Sequence, residues 1–87
     1  MRMAQISAQV SLYPLRQPSI GPTIREAVRI LREHGLKVEM GPMSTLVWGE
    51  EEDVFAALQQ AFHRAAEGGD VVMVVTFSNA CPRPEGG

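Results

Sequence analysis

From Ala4 the chain alternates without a break: Ala4, Ile6, Ala8, Val10 and Leu12 on one side, Gln5, Ser7, Gln9, Ser11 and Tyr13 on the other. A period of two marks a strand with one buried and one solvated face. Pro14 is expected to end regular pairing, and residues 16–22, with two further prolines and Gly21, read as a loop. Thr23, with Glu26 three positions on, has capping-box spacing and predicts the start of a helix carrying Ile24, Ala27, Val28 and Leu31 on its apolar face. His34 and Gly35 predict its end. Residues 36–40 alternate again, Gly41-Pro42 makes a turn, and residues 43–48 give a third strand that Gly49 is expected to break. A second helix is predicted over residues 50–67, with Val54, Phe55, Leu58, Phe62 and Ala65 as its apolar stripe. The last strand, residues 71–77, is apolar on both faces and runs into Ser78-Asn79-Ala80-Cys81-Pro82.

The order β-α-β-β-α-β predicts an α+β, ferredoxin-like fold, with a four-stranded antiparallel sheet and both helices on one face. Ser11 and Tyr13 then project from the uncovered face. A final strand with no face suited to water needs cover on that side, from a second subunit or a ligand. Residues 1–82 are expected to form a single domain and residues 83–87 a loose tail.

Composition narrows the function classes. The 87 residues hold 8 Lys+Arg against 10 Asp+Glu, a net charge of −2, which disfavours binding to nucleic acid or anionic lipid. No apolar run reaches the ~20 residues of a membrane span, and the first residues lack the apolar core of a signal peptide, so no membrane insertion and a cytoplasmic location are expected. The single cysteine, Cys81, cannot form an internal disulfide, and nothing near it in sequence supplies a base to activate it, so it reads as a structural thiol. The run Glu50-Glu51-Glu52-Asp53 is read as first-turn carboxylates complementing a helix dipole, not as a metal site. His34 and His63 have no ligand spacing, and Met40, Met43 and Met73 read as core filler. Neither a catalytic residue nor a metal nor a cofactor is predicted, and the chain is read as a non-enzyme.

The remaining chemistry lies in small polar and aromatic residues near strand ends: Ser11 and Tyr13, Ser44 and Thr45, Trp48, Ser78 and Asn79. Hydroxyl and amide groups suit a neutral heteroaromatic ligand because they donate and accept hydrogen bonds without burying charge. Turn formation accounts for Ser78-Asn79 equally well. Trp48 and Tyr13 suit either stacking on a flat ligand or packing against a second chain.

Ser11-Leu12-Tyr13-Pro14, Ser44-Thr45-Leu46-Val47 with Gly49, Val54-Phe55, Val72-Met73, Thr76-Phe77-Ser78 and Cys81-Pro82 together resemble the YkoF-like family, over nearly the whole chain. The resemblance implies a ferredoxin-like domain, used as tandem repeats or as a single repeat assembling into homodimers and homotetramers. It also implies binding of thiamine or its hydroxymethylpyrimidine moiety between repeats or subunits, for transport, salvage or sequestration. Carried onto this chain, it places Ser11, Tyr13, Ser44, Thr45, Ser78 and Asn79 near the ligand and gives Cys81 a structural role. The chain holds one copy of the repeat, so a complete site requires self-association. The alternative is an oligomeric regulatory or interaction module with a different small effector or none.

Overall fold

The computed structural model describes residues 4–16 and 20–80. The elements are β1 (Gln5–Leu15), α1 (Gly21–Glu33), β2 (Lys37–Met40), β3 (Thr45–Glu50), α2 (Glu51–Ala66) and β4 (Asp70–Ser78). The strands form one sheet in the order β2-β3-β1-β4, every neighbouring pair antiparallel. This is the ferredoxin-like α+β arrangement. Among the described residues no helix is long and apolar enough to cross a membrane.

Several boundaries differ from the sequence pattern, each for a local reason. β1 continues through Pro14, which stands opposite Val71. Its pairing with β3 stops at Val10, so the missing N–H of Pro14 faces a side with no strand and costs no ladder bond. α1 begins at Gly21, ahead of the predicted Thr23 cap. Pro22 occupies the first turn, where an absent N–H is tolerated, and no side-chain cap bond forms at Ile20. The helix ends as expected: Gly35 takes φ 79° and donates its N–H to the Arg32 carbonyl, while His34 Nδ1 lies 3.0 Å from the Ile30 carbonyl.

Gly49 does not break β3; it pairs with Ile6 inside the strand. The position needs glycine because Leu36 packs directly against it: a Cβ there would lie 2.5 Å from Leu36 Cδ2. In α2 the buried stripe is Val54, Ala57, Leu58, Ala61 and Ala65, whereas Phe55 and Phe62 are exposed. Alanines let the helix sit close to α1 and the sheet. Glu51, Glu52 and Asp53 occupy the first turn of α2.

Opposed residues of an antiparallel pair share a face, so the registers sort the sheet. Ala8 and Val10 with Val47, Thr45, Met73 and Val75 face the helices. The core is built there, from Ala8, Val10, Ala27, Ile30, Leu31, Leu36, Val47, Val54, Ala57, Leu58 and Ala61. The other face carries Ser7, Gln9, Ser11 and Tyr13 of β1, Leu46 and Trp48 of β3, Lys37 and Glu39 of β2, and Val72, Val74, Thr76 and Ser78 of β4. No helix covers it. Val72 and Val74 are about half exposed, at 46% and 53%, as are Tyr13 and Leu15 beside them. Cys81 and the residues 83–87 expected to form a tail lie outside the described residues.

Candidate functional site

The sequence-derived site residues fall into two groups at opposite ends of the sheet. β3 and β4 both run antiparallel to β1, so the end of β1 meets the beginnings of β3 and β4. Ser11 and Tyr13 therefore stand near Ser44 and Thr45, opposite Val74 and Val72. Ser78 stands opposite Ser7, which is in turn opposite Trp48. Ser7 and Ser11 are separated by about 13 Å of strand. A single chain does not bring all these residues together.

At the first end a cavity of about 200 Å³ opens between α1, the sheet and the turn joining β2 to β3. Val10, Leu12, Ala27, Leu31 and Met73 form its apolar wall, and Met40, Met43, Ser44 and Thr45 its mouth. Thr45 stands opposite both Val10 and Met40, on the helix side of the sheet, so it belongs to this cavity and not to the uncovered face. The turn is held by the Gly41 N–H donating to the Ser44 carbonyl at 2.8 Å. Met43 is 84% exposed and Met40 51%, so these two are not core filler. Only Met73 packs against the core. Their position on either side of Gly41-Pro42 was the available signal, since a turn carries side chains away from the sheet. Ser11 and Tyr13 lie on the other face of the same end, with Tyr13 49% exposed.

At the second end the Ser78 hydroxyl accepts the Ala80 N–H at 3.0 Å, and the Ser78 carbonyl accepts from the Ser7 hydroxyl at 3.4 Å. That geometry supports the turn-forming account of Ser78. Asn79 is exposed, in an open cleft of about 480 Å³ with Glu51, Phe55 and Phe77. The rings of Phe55 and Phe77 stack at 4.5 Å with 17° between planes. Sequence reasoning placed Phe55 in the core and missed this pair, because a helical period counts Phe55 with Val54 and cannot tell which of the two turns inward. Trp48 is 6% exposed although it lies on the face away from the helices, and among the described residues its indole Nε1 has no hydrogen-bond partner. A ring so enclosed presents no face for stacking on a ligand.

A wider, shallower cleft of about 390 Å³ separates the start of α1 from the end of α2. Its charges are committed to one another. Glu26 accepts from Arg29 Nε at 3.2 Å and lies 3.4 Å from Arg64 Nε, while Arg64 also pairs with Glu67 at 2.9 Å. The hydrogen bond from Arg29, reinforced by the nearby charges of Arg29 and Arg64, holds the Glu26 carboxyl below its usual range. This is a latch between helices. Among the described residues no cluster of three His, Cys, Asp or Glu side chains could hold a metal.

The sequence profile of the YKOF-related family matches residues 5–84. The chain belongs to this family. Among its relatives, UPF0045 protein MJ1052 of Methanocaldococcus jannaschii is 28% identical over 60 residues, which span 68% of this chain and 60% of that protein. The match thus covers less than two thirds of the relative's length. In the solved structure of MJ1052 the fold superposes with a TM-score of 0.82 at 23% identity, covering 94% of this chain and 87% of the other. A Bacillus cereus domain of unknown function, DUF77, gives 0.77 at 16% identity, covering 87% and 76%. A proposed thiamine biosynthesis/salvage protein of Thermotoga maritima, TM0486, gives 0.73 at 19% identity, covering 84% and 81%. At these identities the structural likeness speaks for the fold alone.

Proposed function

We propose that this chain is a non-catalytic, cytoplasmic binding protein for thiamine or its hydroxymethylpyrimidine moiety, with the site completed by self-association into a homodimer or homotetramer. The observation that carries this reading is the apolar cavity of about 200 Å³ with Ser44 and Thr45 at its mouth. Pockets for whole drug-sized ligands occupy roughly 300–1,000 Å³, so a smaller cavity suits one ring in preference to two linked rings. A pyrimidine meets that size, Met73 and Met40 offer polarisable sulfur to its face, and the two hydroxyls can read a ring nitrogen or an amino group. The thiazolium of thiamine would then extend outward, its cation favoured by an acidic protein. Family membership and the fold shared with the Thermotoga maritima protein support the same choice.

Calorimetric titration with thiamine and with the free pyrimidine tests the reading. Both should release heat, and Ala27→Leu, which projects a larger side chain into the cavity, should abolish the signal while the protein stays folded. No heat and no thermal stabilisation at millimolar ligand would overturn it. The half-exposed Val72 and Val74 favour a second reading, a module whose uncovered sheet face serves assembly alone. The double substitution Ser44→Ala, Thr45→Ala separates the two: a binding protein loses affinity with its oligomer intact, whereas a pure assembly module shows no ligand-dependent change.

A further inference from the structure

The arginines among the described residues fall into two sets. Arg16 pairs with Asp70, Arg29 with Glu26 and Glu33, and Arg64 with Glu26 and Glu67. Arg25 and Arg32 are exposed, and among the described residues neither has a carboxylate partner. Their place on α1 follows from the helical period. Ile24, Ala27, Val28 and Leu31 turn toward the cavity of about 200 Å³. At 3.6 residues per turn, Arg25 and Arg32 stand within about 20° of each other, on the flank next to Val28. Glu26 and Glu33 lie about 100° farther round, where Arg29 bonds both. Arg25, Val28, Arg32 and Met40 line an open groove of about 540 Å³, with Arg29 and Glu33 at its outer side. Val28 and Met40 also line the cavity, so groove and cavity meet at a common lip.

We infer that this groove holds the phosphate of a ligand whose ring occupies the cavity: a phosphate monoester of a small heteroaromatic alcohol, with Arg25 and Arg32 as its cations. The inference rests on the ring binding of the proposed function and names the chemical form of the ligand. Arg25, Arg29 and Arg32 stand four and three positions apart, spacings at which like charges on a helix repel. Glu26 and Glu33 relieve only the middle one. A dianion at the lip relieves the other two, and the planar guanidinium fork matches phosphate oxygens with paired, charge-assisted hydrogen bonds. Helical side chains lean toward the N-terminus, which carries Arg32 back over Val28. The Arg25 guanidinium rests beside Gly21 in the first turn, and with no ion pair to break it is free to turn along the helix to the lip.

The same charges separate the candidate ligands. The chain is acidic as a whole, but attraction falls with distance and salt screens it beyond about 10 Å, so the two arginines at the lip outweigh the net charge there. A thiazolium leaving the cavity by this lip brings a cation to two cations. A phosphate on the hydroxymethyl arm of a pyrimidine brings the opposite charge, while Ser44 and Thr45 remain at the mouth to read the ring.

Calorimetric titration with hydroxymethylpyrimidine, its phosphate monoester and inorganic phosphate tests the assignment. The monoester should bind about tenfold or more tighter than the free alcohol, and inorganic phosphate more weakly than the monoester. Raising the salt to about 0.5 M should remove most of that advantage and leave the alcohol unaffected. The double substitution Arg25→Gln, Arg32→Gln should abolish the advantage while keeping the affinity for the alcohol, which reports an intact cavity. Equal affinities for alcohol and monoester, or an advantage that survives the double substitution, would overturn the inference. So would inorganic phosphate binding as tightly as the monoester, which marks a bare anion site. In each of these cases binding of the free alcohol leaves the proposed function standing. Uptake of neither alcohol nor monoester removes the proposed function and this inference with it.

Discussion

A methyl group on Gly49 would sit 2.5 Å from Leu36 Cδ2 and 3.7 Å from Val54 Cγ2. Leu36 is 7% exposed and Val54 fully buried, so neither can swing into solvent to make room. Gly49→Ala is therefore an overpacking substitution, expected to cost about 1–3 kcal/mol. The check is a urea titration in which the midpoint falls while the slope is unchanged; an unaltered midpoint would mean that Leu36 repacks freely. The same contact explains why a glycine that looks like a strand terminator in the sequence sits inside β3. Its role is set by a leucine thirteen positions earlier in the chain, which no local pattern reports. Ser78 illustrates the opposite case. Its turn-forming chemistry was legible from Ser-Asn alone, and its hydroxyl is already occupied by the Ala80 N–H.

Helices α1 and α2 are joined on their outer side by Glu26, which serves Arg29 on its own helix and Arg64 on the other. Its folded-state acidity is raised, the hydrogen bond from Arg29 being the first cause. A carboxyl whose pKa is depressed by folding contributes stability above its unfolded value, near 4.5, and loses it as the pH falls through the folded value. Glu26→Gln should accordingly lower the urea midpoint slightly at neutral pH and leave it equal to that of the parent protein below the carboxylate range. The difference is small because the pair is exposed to water. A gap that persists in strong acid would assign the effect to packing in place of charge. The order of the elements and the fold class were legible because alternation and helical period are local properties; several boundaries were not, because they depend on tertiary neighbours such as Leu36 beside Gly49. The composition of the α2 stripe was less so: Ala57 and Ala61 carry little hydrophobic signal, yet their small size is what lets α2 approach the sheet. Phe55, the stronger signal, instead stacks on Phe77 at the edge. Phe55→Ala should cost about 0.5–1.5 kcal/mol for the lost ring pair beyond its burial, and the double substitution with Phe77→Ala should be less than additive.

For the whole molecule, the sequence showed which residues carry candidate chemistry but not that antiparallel connectivity separates them into two ends, since that depends on which strands become neighbours. The self-association proposed above would make stability and site formation one equilibrium. Among the described residues the largest fully buried side chains are Val47 and Val54, so the core is built from small residues and the proposed interface should carry a visible share of the stability. Folding linked to dimerisation obeys mass action: each tenfold rise in protein concentration adds about 1.4 kcal/mol per dimer. Shared between two chains, that amounts to a rise in Tm of roughly 3–6 °C per decade for a domain of this size. Val74→Lys places a charge on the uncovered sheet face where the proposed assembly would bury a half-exposed valine, and should both lower Tm and remove its concentration dependence. Scanning calorimetry over a dilution series distinguishes the outcomes. A parent protein whose Tm ignores dilution owes its stability to the single chain, and the uncovered face of its sheet is then no interface. A parent that follows mass action beside a Val74→Lys variant that does not would place the stabilising contact on the uncovered face of the sheet, around Val74.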